Sequence, residues 1–204
     1  MKNLSLSILV LLSLLLFSAC SKNSKVSLEN DALKKTYYTQ VNMWFEEKPT
    51  YDSVSNNRSF NEGNIPFASD YTIASTNYNY GKLLPINSQI KIVKLDTNKI
   101  FFEHNDKLYA YVRTKHSKHR TLEQLFKRTF ALSKVDLENL ENKEAIKNAI
   151  FKLGMSKEEV IFARGFPPEH KTRTLSSNSW YYWKTKHNSE KFVFENNSLK
   201  LIEE

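Results

Sequence analysis

The sequence of 204 residues is poor in the residues on which several classes of protein depend. Its single cysteine excludes a disulfide within the chain and a cluster of thiolate metal ligands. Four glycines and five prolines are too few for collagen-like or low-complexity chains and for a glycine-rich phosphate loop. Hydrophobic residues make up 40% of the chain and aromatic residues 13%, which is enough to bury a core. The formal net charge of +8 favours contact with anionic surfaces.

The chain begins with a short apolar run. Met1–Asn3 is weakly positive, and Leu4–Phe17 contains no charged residue. At roughly 1.5 Å per residue, a helix of that length covers about 21 Å, which is less than the ~30 Å of a hydrocarbon core. The run therefore favours a secretory signal peptide over a stable membrane span.

The run ends in Phe17-Ser18-Ala19-Cys20, and Cys20 is the only cysteine. This segment resembles the lipobox of bacterial lipoproteins. The resemblance implies cleavage after residue 19 and a covalent diacylglyceryl and N-acyl lipid on Cys20, with no other cofactor. The alternative is an ordinary signal peptide followed by a buried cysteine. Ser21 in place of aspartate favours sorting to the outer membrane, so we expect a lipid-anchored outer-membrane protein that faces the periplasm.

The first half of the mature chain has three predicted parts. Residues 20–36 are polar and predict a tether. Residues 37–69 are rich in aromatics without a clear pattern, and their role is open between a satellite core and a ligand surface. Residues 70–115 alternate polar and apolar positions and contain turn residues, which predicts an antiparallel β meander. Its strand rhythm is similar to that of a small SH3-like barrel.

Residues 121–204 are predicted to form a compact α+β domain. A first helix follows the cap Thr121, and a second is expected over Leu140–Leu153, with Gly154 as its left-handed C-terminal residue. Ser156 and Glu159 form a capping box for a third, short helix that Gly165 ends. Three strands follow, with a two-residue turn at Asn196-Asn197. The predicted strands are Trp180–Trp183, Phe192–Phe194 and Leu199–Ile202.

Four motifs in this domain resemble the SmpA/OmlA (BamE) family of small outer-membrane lipoproteins. The motifs are Gly154-Met155-Ser156-Lys157-Glu158-Glu159-Val160, Gly165-Phe166-Pro167-Pro168, Trp180-Tyr181-Tyr182 and Phe192-Val193-Phe194. The resemblance covers about residues 140–204 and implies two helices packed on a three-stranded sheet. The family includes a non-catalytic subunit of the β-barrel assembly machinery. Its best-known member lacks a counterpart of residues 37–113, so the resemblance implies the fold and the lipoprotein character more directly than the assembly role.

The titratable residues do not predict catalysis. His116 and His119 have a spacing that could place two imidazoles beside a metal, but Lys115, Lys118 and Arg120 would repel a cation. The sequence contains no G-x-S-x-G motif, and its adjacent acidic pairs do not face each other on a helix. We therefore expect neither an enzyme nor a metal site.

Two surfaces are candidates for binding. Alternation along Trp180, Tyr181, Tyr182 and Trp183 places one aromatic pair inward and leaves the other for a protein partner. A basic patch suits an anionic surface and consists of Arg113, Lys115, Lys118, Arg120, Lys127 and Arg128. The leading hypothesis is a non-catalytic scaffold or assembly factor of the cell envelope, with an unknown protein partner. The alternative is binding of peptidoglycan or a cell-wall peptide through the SH3-like region; nucleic acid is not an expected partner.

Overall fold

A computed structural model describes residues 32–33, 35–53, 67–185 and 187–204. The predicted signal peptide, Cys20, residues 21–31 and 34 of the predicted tether and residues 54–66 of the aromatic-rich segment lie outside these ranges. Within them the chain is mostly β, with eleven strands, three short α-helices and one 3-10 turn. The predicted α+β class is therefore wrong, because strand pairing and not helix packing organises most of the described chain.

The elements are numbered in chain order. The strands are β1 Thr36–Thr39, β2 Met43–Phe45, β3 Tyr71–Ala74, β4 Lys82–Leu84, β5 Gln89–Asp96, β6 Lys99–His104, β7 Lys107–Val112, β8 Phe130–Ala131, β9 Ser179–Trp183, β10 Ser189–Glu195 and β11 Ser198–Glu203. The helices are α1 Leu122–Thr129, α2 Lys143–Lys147 and α3 Lys157–Arg164, and the 3-10 turn covers Lys115–Ser117.

Six strands form one curled mixed sheet in the order β3-β7-β6-β5-β1-β8. The antiparallel β5–β6–β7 meander lies where sequence alternation predicts it. Each outer strand of the meander has a further partner, because β1 pairs with β5 and β3 pairs with β7 in the parallel direction. The predicted small SH3-like barrel is wrong, since β1 from outside residues 70–115 and the parallel strand β3 widen the meander into a six-stranded sheet.

Both edges of the six-stranded sheet offer few free backbone groups. At one edge, β8 has only two residues. At the other edge, Thr72 of β3 exchanges two backbone hydrogen bonds with Glu46, at 2.9 and 3.0 Å. The preceding strand β2 pairs with β4 in a separate two-stranded sheet. Residues 37–46, whose role the sequence left open, thus contribute to two strands and cover one sheet edge, and β1 begins at Thr36, the last residue of the predicted tether.

Two of the three helices in the described ranges begin directly after a capping box. Thr121 and Gln124 form a capping box for α1. Ser156 and Glu159 form one for α3, which confirms the capping box predicted from the sequence. The predicted helix over Leu140–Leu153 is wrong, since α2 covers only five residues. It ends before Ala149, which has a left-handed φ of 54°.

A three-stranded antiparallel sheet, β11-β10-β9, ends the chain. Asn196 and Asn197 have φ values of 48° and 65°, which confirms the predicted two-residue turn between β10 and β11. The BamE-like arrangement implied by the resemblance is wrong for this chain, because the sheet lies beside a larger set of strands and α2 is little more than one turn long.

Two hydrophobic clusters meet at Asn42, which is fully buried between β1 and β2. One cluster lies on the six-stranded sheet, and the other lies between α3 and the three-stranded sheet; the side chain of Ile161 packs against both. The Asn42 side-chain amide donates to the carbonyl oxygens of Ile146 and Ala163, at 2.5 and 3.1 Å. Its oxygen accepts a hydrogen bond from the backbone of Ile86 at 2.7 Å. One side chain therefore joins the β1–β2 connection to both C-terminal helices.

Candidate binding surface

Strand β9 separates its aromatic side chains into an inward and an outward pair. Trp180 and Tyr182 are 1% and 2% exposed and form part of the core under α3. The Tyr182 hydroxyl donates to the carbonyl oxygen of Gly165 at 2.9 Å, and burial raises its pKa. Tyr181 and Trp183 face the other way and are half-buried. Of the four candidate partner-binding residues, only these two reach the surface.

Three aromatic and cationic side chains surround Trp183. The ammonium nitrogen of Lys171 lies 4.2 Å from the centre of the Trp183 ring, a cation–π contact. The His170 ring stacks against the indole at 5.8 Å, and Tyr78 packs at 6.1 Å. The Trp183 indole nitrogen is buried and has no hydrogen-bond partner among the described residues. The outward end of β9 thus joins an aromatic and basic surface.

The two histidines of the H-x-x-H motif are not brought together as ligands. His116 lies in the 3-10 turn and stacks on His170 from the segment after α3, with ring centres 4.3 Å apart. His119 is exposed. In the described ranges, no three His, Cys, Asp or Glu side chains are grouped as a metal site would need. Partial desolvation lowers the pKa of His170, and the nearby His116 and Lys171 lower it further.

Ion pairs occupy half of the predicted basic patch. Glu169 accepts from both Arg120 and Arg128. Although burial alone would raise the pKa of Glu169, hydrogen bonds and attraction from these two arginines lower it. On α1, Lys127 pairs with Glu123 at 2.7 Å. These contacts reduce the number of cations that are available to a ligand.

The remaining members of the patch lie on and beside the 3-10 turn. Lys115 and Lys118 are exposed, and neither forms an ion pair within the part of the chain that the structure describes. Arg113 is half-buried, and its guanidinium donates to the carbonyl oxygen of Arg120 at 3.2 Å. The free positive charge is therefore concentrated at the turn and not spread along α1.

Sequence reasoning missed Arg164, which is only 1% exposed. Its guanidinium lies 4.6 Å from the Trp44 ring centre and donates to the carbonyl oxygen of Trp183. Desolvation lowers its pKa to about 10, although the charge of Glu190 opposes this shift. Burial raises the pKa of Glu190 despite the attraction of Arg164. The sequence spacing could have indicated that Arg164 is buried, because it lies four positions after the apolar Val160 and so on the same helix face.

The surface around Trp183 combines free cations, two imidazoles and a half-exposed indole. Neither His116 nor His170 has a hydrogen-bonded carboxylate or hydroxyl partner among the described residues, so no acid–base or nucleophile pair is assembled there. The arrangement suits the binding of anionic groups through charge and N–H donors.

Comparison with family models, curated proteins and solved structures gave no match for this chain. In the described ranges, none of the helices has the length and apolar character needed to cross a membrane.

Proposed function

We propose that the protein is a lipid-anchored, periplasm-facing lipoprotein of the bacterial outer membrane that acts as a non-catalytic scaffold in envelope assembly. The Phe17–Cys20 motif supports the anchor. One observation supports the scaffold role. Strand β9 places Trp180 and Tyr182 in the core and leaves Tyr181 and Trp183 at the surface.

The outward face of the three-stranded sheet has the composition of a protein contact surface. Tyr181 lies opposite Lys191, which pairs with Glu203 on the next strand. Beside this row, Val193 lies opposite Leu201, which is 48% exposed. Because cross-strand neighbours share a face, these side chains form one continuous area with a tyrosine, two aliphatic groups and a charged rim. A protein of the envelope that buries such an area gains apolar burial and a hydroxyl contact.

Peptidoglycan binding, the alternative predicted from sequence, depended on an SH3-like barrel. The wider six-stranded sheet removes that basis, so the aromatic strand face supports the scaffold better.

Site-specific crosslinking tests the proposal in living cells. A photoreactive phenylalanine analogue at Tyr181 should give a discrete crosslinked product in the lipidated protein. Tyr51, which is 40% exposed and pairs with Ala68 rather than with the three-stranded sheet, is the matched control position and should not give that product. No product at Tyr181, or the same products at both positions, would contradict a specific contact through this sheet face.

A further inference from the structure

The segments 113–120 and 166–173 lie against each other. His116 stacks on His170, and Arg120 pairs with Glu169. A hydrogen bond of 2.6 Å between the hydroxyls of Thr114 and Thr76 also holds the first segment against the residues that follow β3. The 3-10 turn is therefore held in a defined position beside Trp183, and we call this surface the turn face.

The turn face carries an excess of positive charge. The two segments contain Arg113, Lys115, Lys118, Arg120, Lys171 and Arg173, with Glu169 as their only acidic residue. Glu169 is already engaged by Arg120 and Arg128. Lys115 and Lys118 project from the turn with no ion pair inside the described ranges. The turn face therefore has a net positive charge. The influence of this charge falls off within about 8 Å at physiological salt.

We propose that the turn face docks on the anionic phospholipid headgroups of the membrane that anchors the protein, with Lys115 and Lys118 as the principal contacts. The choice of occupant rests on the proposed lipid anchor. Charge complementarity favours phosphate groups, since both lysines are exposed and have no ion pair among the described residues.

The length of chain before the described region allows this contact. Between the predicted anchor Cys20 and Ala32, which is buried in the core, the chain has twelve peptide steps, which span at most about 40 Å when fully extended. A folded unit of about 170 residues has a radius of gyration of roughly 15 Å. The reach of the tether exceeds this radius, so the face at Ala32 need not be the one that contacts the bilayer.

Vesicle co-sedimentation tests the proposal without the lipid anchor. The probe is residues 20–204 with Cys20→Ser, mixed with vesicles of phosphatidylcholine alone or with about one third phosphatidylglycerol. The wild-type surface should bind only the anionic vesicles. Lys115→Glu with Lys118→Glu should weaken that binding by about tenfold or more, since each cation near an anionic surface contributes substantially to the affinity.

Lys107→Glu with Lys200→Glu is the matched control, because both lysines are exposed and the change in net charge is the same. The control should keep binding within about threefold of wild type, and circular dichroism should show both double variants folded. Equal loss in the two double variants would overturn the proposal in favour of a general charge effect. Unchanged binding after the Lys115 and Lys118 changes would also overturn it, as would preferential binding to isolated peptidoglycan. Labelling of Cys20 and crosslinking at Tyr181 report on the proposed function separately, so either idea can fail alone.

Discussion

The side-chain amide of Asn77 fills the space beside Gly165, such that a Cβ atom added to Gly165 would lie 2.5 Å from the amide nitrogen. That amide donates to the carbonyl oxygens of Asn42 and Arg164, at 3.0 and 2.8 Å. Gly165 therefore lies at the joint between the six-stranded sheet and α3, and it ends the helix with a φ of 83°.

Gly165→Ala should destabilise the protein by about 2–4 kcal/mol, because left-handed backbone strain adds to displacement of the Asn77 amide. Gly154→Ala is the control, since Gly154 has a φ of 95° but no atom within 4 Å of an added Cβ. It should lose only about 1–2 kcal/mol, from strain alone. Urea denaturation monitored by tryptophan fluorescence measures both values. Equal losses would show that the Asn77 contact contributes nothing.

Asn42→Ala should cost about 2–4 kcal/mol, because the buried Ala163 carbonyl and Ile86 amide lose their side-chain partner, while the Ile146 carbonyl keeps the amide of Ala149. Asn139→Ala removes an exposed amide that, among the described residues, bonds Asp136 alone, and it should change stability by less than about 0.5 kcal/mol. The same denaturation curves provide the comparison. A loss below about 1 kcal/mol for Asn42→Ala would argue against a structural joint at this residue.

Arg164 and Glu190 are both buried and attract each other without a direct ion pair, which allows a double-mutant test. Arg164→Met keeps the stem packed but removes the largest attraction on the Glu190 carboxylate, and we expect a loss of about 2 kcal/mol or more at neutral pH. Adding Glu190→Gln should recover most of that loss, since the unpaired buried carboxylate is then removed. If the double variant is as unstable as Arg164→Met, the charge of Glu190 does not depend on Arg164.

The stacked ring of His116 predicts an effect on the pKa of His170. His116→Ala should raise the pKa of His170, because one of the charges that lowers it is removed, whereas His119→Ala should leave it unchanged. Two-dimensional NMR of the imidazole signals across pH 5–8 measures the shift. A lowered pKa in the folded state means that His170 favours folding above its unfolded pKa of about 6.5, and that this contribution is lost as the pH falls. Identical His170 titrations in the two variants would contradict the stacking contact.

Cys20→Ala should abolish incorporation of a palmitate analogue and leave an unprocessed precursor, since the lipobox provides only one thiol. Metabolic labelling and gel mobility report the result. Ser18→Thr retains the cysteine and serves as the control that should still be labelled. Labelling of the Cys20→Ala variant would exclude the proposed anchor.

Local patterns predicted the parts of the fold that local chemistry determines. The β5–β6–β7 meander follows from alternation and turn residues, and the start of α3 follows from the Ser156–Glu159 capping box. The partners of the meander could not be predicted, because Tyr37 pairs with Ile90 and Ile73 pairs with Tyr111 across long stretches of chain. The short α2 was missed for a related reason, since an apolar stripe does not reveal that Ala149 turns the backbone.

The candidate site shows the same division. Alternation predicted that β9 has two aromatic faces, but only tertiary packing decided that Trp180 and Tyr182 are buried. The H-x-x-H spacing drew attention to His116 and His119, whereas the actual neighbour of His116 is His170 from another segment. Glu169 neutralises Arg120 and Arg128. No sequence pattern indicates that Glu169 lies beside these two arginines.

The two protected edges of the six-stranded sheet affect whether neighbouring copies of the protein can pair through their strands. The proposed lipid anchor would confine the molecules to two dimensions, where lateral collisions between neighbours are frequent. An open strand edge would then template pairing between chains and growth of aggregates. The two-residue β8 offers too little backbone for such pairing, and Glu46 occupies the outward groups of Thr72. The same contacts that complete the six-stranded sheet therefore protect its edges from pairing with another copy at the high local concentration that the proposed anchor creates.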